Sequence, residues 1–384
     1  MKYRKPQYYH DFSCVADQCP DTCCAGWQIG IDEDSLEMYG NVKGDFGTRL
    51  LNSIDWRTGM FEQYNKRCSF LNDKNLCDLY TELGPDALCD TCKNYPRHME
   101  EFEGVREYSL SLSCPIAAKM ILNDKDPMRF YEEEDDVEEN YEDYEEFDFM
   151  LYEHLEQMRE LIFRTVQNRE LDMETRMLAI LRFSDAFQKA LEEGMMFQFD
   201  MEQELEKAIK AGSGAKSGGR RDSIKEMWKD LQELEVLRDE WADMVKSLDV
   251  IFCAMDEAAY LEARKEFRAF WEQKATENES WNIYKEQLLM FYLYTYFCGA
   301  VYDDMVCAKT VLAVFSVIWI DELLFAKWLQ QSKALEFADV EEIAYRYARE
   351  IEHSDENLNL LEDIFWDNEL YQPDALAAVL AESV

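Results

Sequence analysis

The chain has 384 residues, 47% of them hydrophobic and 14% aromatic, enough to bury a sizeable core and too many for a disordered polypeptide. Its formal net charge is -41, from 40 Lys/Arg and 81 Asp/Glu, and so acidic a surface repels phosphate backbones. Free nucleic acid is therefore not an expected partner, whereas a lysine-bearing protein is compatible. Only 14 Gly and 7 Pro are present, which argues against a loop-rich or many-stranded fold.

The N-terminus, Met1 to His10, is basic but is followed by no apolar stretch of the kind an export signal carries. A cytoplasmic, reducing location is the expectation. Residues 1–125 read as one unit, with turn signals at Gly26, Gly30, Gly40, Gly44, Gly47, Gly84-Pro85 and Tyr95-Pro96. Short helical turns between metal-binding loops are expected there. An acidic connector follows at 126–150, with no Lys or Arg between Glu132 and Asp148. Its aromatic residues Tyr141, Tyr144, Phe147 and Phe149 suggest entry into a helix with a solvated acidic face; a docking strip for a basic partner is the alternative.

The remainder reads as helix: a first helical part at 151–210, a Gly/Ser linker at 211–221 (AGSGAKSGGRR), and a C-terminal helical domain at 222–384. Apolar residues recur at three- and four-residue spacing near 146–168, 174–193, 200–210, 222–248, 253–276, 281–301, 303–332 and 338–353. The stripe Tyr284, Leu288, Tyr292, Tyr296 is read as core. The longest apolar run, Val311 to Ile320, is interrupted only by Ser316 and flanked by Lys309 and Asp321. It falls short of the ~20 residues of a membrane span and predicts a buried helix. The predicted class is mainly α, a Cys-rich unit followed by a helical bundle.

Nine of the 12 cysteines lie in the first 114 residues: Cys14, Cys19, Cys23, Cys24, Cys68, Cys77, Cys89, Cys92 and Cys114. Cys253, Cys298 and Cys307 are scattered through helical sequence. In a reducing compartment clustered cysteines bind metal or do redox work more often than they form disulfides. Cys14, Cys19, Cys23 and Cys24 can converge only if the chain turns back at Pro20-Asp21-Thr22. Adjacent cysteines point in different directions, so Cys23 and Cys24 can serve different sites. The two-residue gap of Cys89 and Cys92 suits a grip on one ion, and Pro115 after Cys114 is familiar from iron–sulfur loops. All nine are candidate ligands. His98 is a further candidate, read first as a loop histidine. Thiolates suit zinc and iron–sulfur clusters, and nine donors exceed the four of one tetrahedral zinc, which favours a [4Fe-4S] cluster with zinc as the alternative.

The strings Phe12-Ser-Cys14, Cys19-Pro-Asp-Thr-Cys23-Cys24-Ala-Gly-Trp27-Gln-Ile29, Cys68-Ser-Phe-Leu71 with Cys77, Leu88-Cys89-x-x-Cys92-x-x-Tyr95-Pro96-Arg97 and Leu112-Ser-Cys114-Pro115 resemble the flagellin lysine-N-methylase (FliB) family. The resemblance is specific over 1–120 and looser beyond, where it rests on Tyr292-Leu-Tyr294-Thr-Tyr296-Phe297. It implies methylation of the lysine ε-amine of flagellin with S-adenosylmethionine as donor. No glycine-rich loop after a strand marks an ordinary S-adenosylmethionine site, and the radical-type Cys-x3-Cys-x2-Cys pattern is absent. No catalytic or donor-binding residue is assigned. Tyr292, Tyr294 and Tyr296 are read as packing and Asp303-Asp304 as a helix cap. The donor pocket is expected between the Cys-rich unit and the helices. A non-catalytic, metal-clamped binding module and an iron–sulfur redox protein remain the competing readings.

Overall fold

The computed structural model describes residues 1–137, 139, 144, 147–212, 219–277 and 279–381. Parts of the expected acidic connector, Tyr141 among them, and most of the Gly/Ser linker lie outside these residues.

The N-terminal part opens with β1 (Lys2–Pro6) and continues through α1 (Glu33–Asn41), α2 (Gly44–Asn52), β2 (Ile54–Asp55), β3 (Met60–Phe61), β4 (Gln63–Tyr64) and β5 (Arg67–Cys68). Short helices α3 (Asp78–Leu83) and α4 (Asp90–Asn94), strands β6 (Arg97–Phe102) and β7 (Val105–Leu110), helix α5 (Pro115–Asn123) and strand β8 (Phe130–Glu134) complete it. β6, β7, β1 and β8 form a four-stranded sheet in that order, β1 parallel to β7 and antiparallel to β8. This sheet is absent from the turn-and-loop expectation for residues 1–125, and β8 returns to it from beyond that boundary. β6 and β7 turn at Glu103-Gly104, where Gly104 takes φ +72°, a conformation a side chain disfavours.

The helical part consists of α6 (Phe149–Val166), α7 (Met173–Glu192), α8 (Met201–Lys210), α9 (Arg220–Glu233), α10 (Asp239–Ser247), α11 (Asp249–Phe252) and α12 (Glu257–Thr276). Then come α13 (Trp281–Tyr296), α14 (Val306–Gln330), α15 (Phe337–Glu352), α16 (Asp355–Asp367) and α17 (Pro373–Leu380). Aspartates start many of these helices: the side chains of Asp148, Asp172, Asp200 and Asp256 each accept an amide of the first turn. Capping accounts for part of the acidic excess. The mainly α class is therefore observed.

The run Val311–Ile320 sits in α14, which is buried along almost its whole length beside α7, α13 and α16. No described helix is long and apolar enough to cross a membrane. The helix expected over 222–248 is broken between α9 and α10. There the amides of Leu237 and Arg238 donate to Glu350 at 2.8 and 3.0 Å, and that of Glu235 to Asn357 at 2.7 Å. Side chains of α15 and α16 thus satisfy backbone groups that a continuous helix would have used internally.

Two cores result. The large one joins the bundle with Phe102, Val105, Leu110, Leu112 and α5, so the sheet packs as part of the helical body. The small one, built on Ile29, Tyr39, Leu50, Phe61, Phe70 and Leu79, lies wholly within the Cys-rich part and includes Cys68 and Cys89.

Candidate active site and thiol groups

Cys68 and Cys89 lie in the small core with Cys24, Cys77 and Cys92 packed against it, and Cys114 lies in the large one. Cys14 is exposed; Cys19, Cys23, Cys24, Cys77 and Cys92 are half-buried; Cys68, Cys89 and Cys114 are buried. The Cys19–Cys24 loop is pinned to the bundle by Asp21, which pairs with Arg238 at 2.6 Å and with Arg349 of α15 at 2.6 Å. Burial opposes the Asp21 charge, but the two guanidiniums outweigh it and hold its carboxyl below the usual range. Gly26 makes the close approach possible: with φ +90°, a Cβ there would lie 2.3 Å from Arg238 Cδ. Trp27 donates its indole N–H to the Cys23 carbonyl at 2.7 Å.

The thiols sense one another electrostatically. Cys24 lies against Cys23, whose hydrogen bond lowers the Cys24 pKa to about 7 and raises that of Cys23. Cys89 and Cys92 form a second such pair, Cys89 lowered by its hydrogen bond with Cys92. Burial pushes Cys68 up to about 12 and Cys114 to about 11. Soft, clustered thiols are the donor chemistry that zinc and iron–sulfur centres require. Among the described residues, no three or more Cys, His, Asp or Glu side chains close around one point as a formed metal site would. Cys253, Cys298 and Cys307 stand apart on α11–α14 and their connections. His98 is on β6 rather than in a loop, and pairs with Glu100 at 2.6 Å.

Beside the Cys19–Cys24 loop lies a cavity of about 600 Å³ between the Cys-rich part and the bundle. Trp27, Tyr95 and His98 line one side, Tyr296 and Tyr302 another, and α15 and α16 contribute Glu352, His353, Asp355 and Glu362. The carboxylates of Asp90, Glu100, Asp303, Glu352, Asp355 and Glu362 outnumber the cations Arg97 and Lys309 on its walls. Lys309 is itself held by Asp303 and Glu362, each at 2.6 Å.

The floor is a polar chain. Glu352 Oε2 accepts from Ser111 Oγ, Ser111 contacts Ser113, and Ser113 Oγ meets His353 Nε2 at 2.8 Å and Tyr95 Oη at 3.1 Å. Arg349 donates to the Ser113 carbonyl at 2.9 Å. His353 stacks on Trp27 with ring centroids 4.5 Å apart. Burial, aided by the charges of Arg349 and Arg238, drops the His353 pKa to about 3, so the imidazole is neutral. Glu352 moves the other way. Burial raises its pKa to about 7 against the opposing pull of Ser111, His98 and the amides of Leu112 and Ser113, and its Oε1 is closed off from solvent. A carboxyl whose pKa burial shifts this far, on the wall of a cavity, is a candidate for proton transfer.

Tyr296 and Asp303, set aside in the sequence, line this cavity. Tyr292 and Tyr294 do not: both are buried, and Tyr294 donates to the carbonyl of Arg4 at 3.0 Å and contacts that of Tyr108 at 3.1 Å. Asp304 takes φ +60° and starts no helix; α14 begins at Val306. Asp303 does accept the Met305 amide at 2.8 Å. Sequence reasoning missed Glu352 and His353. The one usable signal was the rarity of histidine, four in the chain, with one directly after an acid at a helix end.

Together these features define a helical protein with a thiol-rich appendage docked against an acid-lined cavity. The model of the FliB lysine N-methylase C-terminal domain matches residues 159–379, more than half of the chain. The chain belongs to the FliB lysine N-methylase family. It is 31% identical over 138 residues to a lysine-N-methylase of Salmonella choleraesuis (strain SC-B67), covering 33% of this chain and 34% of that protein. A lysine-N-methylase of Salmonella typhimurium (strain LT2) matches at 31% over 138 residues, again 34% of its length. The flagellar biosynthetic protein FliU of Salmonella muenchen is 31% identical over 134 residues, 32% of this chain and 79% of that protein. The matched stretch thus spans about a third of the lysine-N-methylases. No solved structure matches.

Proposed function

We propose that the protein methylates lysine side chains of a protein substrate, flagellin in the first instance, inside the cavity between the Cys-rich part and the bundle. The observation that carries this reading is the cavity itself, whose acid-rich walls favour a lysine ammonium and include Glu352, placed to take a proton. Methylation needs the neutral amine, because an ammonium has no lone pair. A carboxylate whose pKa burial raises to about 7 is a far better base than an exposed one. In this reading the acidic wall orients the incoming ammonium, Glu352 accepts the proton, and neutral His353 and the Ser111–Ser113 pair hold Glu352 in place.

S-adenosylmethionine supplies the methyl group when bound. The residues present suit it chemically: its sulfonium is a cation, and the cavity offers carboxylates together with the ring faces of Trp27, Tyr95 and Tyr296. The Cys-rich part is proposed to carry a thiolate-ligated centre, [4Fe-4S] or zinc, drawn from the nine cysteines, and the protein is proposed to work in the cytoplasm.

The test is direct. The chain is purified without oxygen, loaded with iron and sulfide or with zinc, and incubated with flagellin and S-adenosylmethionine. Intact-mass and peptide mass spectrometry then read methyl groups on lysine. Methylated lysine that disappears when S-adenosylmethionine is omitted supports the proposal; unmodified flagellin under every loading condition overturns it.

A further inference from the structure

We infer that a lysine-bearing segment of the substrate docks as an added extended strand along the outer edge of β6, and so delivers its lysine to the neighbouring cavity. The inference rests on the methylation proposed above and adds how the substrate is held and in what conformation.

β6 ends the sheet: the order is β6, β7, β1, β8, and among the described residues no strand pairs with its outer side. The register shows which backbone groups that side presents. Lys2 donates its amide to the Gly104 carbonyl at 2.8 Å, and β1 runs parallel to β7 with Lys2 opposite Val105. Gly104, Arg106 and Tyr108 therefore turn their backbone groups toward β1, and Val105, Glu107 and Ser109 turn theirs toward β6. Their partners on β6 are Phe102, Glu100 and His98. The Ser111 amide extends this ladder to the Pro96 carbonyl at 2.7 Å. Arg97, Met99 and Glu101 are left with N–H and C=O groups that point away from the sheet. The Glu101 carbonyl confirms the direction, since it accepts the Tyr302 hydroxyl at 2.5 Å. Arg97, His98, Met99 and Glu101 are exposed and Glu100 is half-buried, so the edge is open to solvent. Such an edge is a template for one more strand.

The edge also runs along the cavity. His98 and Glu100 share a sheet face with Phe102, which belongs to the large core, and both line the cavity. Side chains of an added strand alternate in the same way. Every second residue of the docked segment stands on the cavity face, beside His98 and Glu100, and its neighbours face outward. A lysine at a cavity-facing position meets the wall that carries Glu100, Asp303, Asp355 and Glu362.

Charge selects the occupant. Carboxylates outnumber cations on the cavity walls, and Lys309 is already held between Asp303 and Glu362. The Arg97 guanidinium is engaged at the Phe12 carbonyl, 3.4 Å away, and lies over the rings of Tyr9 and Phe12. A basic segment suits this edge and an acidic one does not. Because Tyr302 occupies the Glu101 carbonyl, pairing centres on Met99, which offers both its N–H and its C=O. A lysine on a helix cannot pair in this way, so the accepted lysines lie in extended segments.

The experiment uses the full chain and a short fluorescent peptide centred on a flagellin lysine, with a series carrying one backbone N-methyl group at each position in turn. Anisotropy reads the Kd. A docked strand uses the N–H of every second residue, so affinity should fall about 10-fold at alternate positions and hold between them. Hydrogen exchange at the Met99 amide should slow when the peptide binds. Met99→Pro removes the outward N–H and spares the ladder, as proline is tolerated on an edge. It should weaken binding about 10-fold, whereas Met99→Ala should not. Loss of affinity without alternation, or Met99 exchange that the peptide leaves unchanged, overturns the strand. A peptide that fails to bind while intact flagellin is methylated overturns the strand and leaves the methylation standing. Alternation with flagellin left unmethylated does the reverse. The N-methyl series and the exchange decide the matter on the parent chain even where Met99→Pro fails to fold.

Discussion

At the residue scale the decisive group is Glu352. If it accepts the lysine proton, Glu352→Gln keeps the shape and removes the base, and methyl transfer should fall about 10²–10⁴-fold, the range for loss of a positioned general base. The pH profile separates this role from a packing role. In the parent, kcat/KM should rise with pH through the Glu352 pKa of about 7. The Gln variant should lose that limb and keep only the dependence set by the substrate lysine. An unchanged profile in the variant rules Glu352 out as the base. Stability carries an independent sign. The folded-state pKa lies above the ~4.3 of an unfolded Glu, so the protonated form favours folding. That contribution is complete below pH ~4.3 and is lost as pH rises through 7. Relative to Glu352→Gln, the parent should therefore lose urea stability between those limits. The nine cysteines stand out in the sequence because they are concentrated in its first 114 residues. Glu352 was not, because its meaning depends on Ser111, some 240 positions away, and on burial that no local pattern encodes.

At the element scale the docking of the Cys-rich part onto the bundle is set by Gly26 and Asp21 against Arg238, before α10, and Arg349 of α15. Gly26→Ala adds a methyl group where Arg238 runs and forces an L residue to φ +90°. It should cost more than about 1 kcal/mol, because a side chain at positive φ is strained. It should also loosen the Cys19–Cys24 loop, read as faster hydrogen exchange there with the bundle unchanged. The sheet is tied in by a different device: Arg159 of α6, fully buried, pairs bidentately with Glu107 of β7. Arg159→Met leaves Glu107 to Arg4 at 3.6 Å and should cost about 3 kcal/mol, while the double change Arg159→Met/Glu107→Leu should recover much of the loss. Equal loss in the double variant would show that shape, not charge, dominates there. The positions of α6 to α8 and α12 to α15 followed from apolar spacing, because each buries one face or more. The break between α9 and α10 did not, since its cause is the distant carboxylate of Glu350. The β6–β7 hairpin was masked by polar residues: β6 reads RHMEEF and buries only Phe102 well.

At the scale of the whole molecule, the two cores make a prediction about independence. The large core runs from the sheet through α17 with continuous burial, Cys114 and Cys298 being only two of its many apolar members, and it should stand alone. The small core has few large apolar residues, with short strands of two residues each, and a unit of that size ordinarily needs a staple. A metal centre is the staple its chemistry offers. Removing metal from the loaded chain with a strong chelator under reducing conditions should therefore melt residues around the small core and spare the bundle. Far-ultraviolet circular dichroism should keep most of its helical signal, because α6 to α17 hold most of the helix. Limited proteolysis should cut first between α1 and α4, and readdition of metal should restore protection there. Loss of the whole helical signal on chelation would mean that the cores fold as one unit, with Asp21, Arg238 and Arg349 a structural tie throughout. No change at all would mean that the thiols pack as ordinary small apolar side chains, and the proposed centre would then have no part in holding the fold.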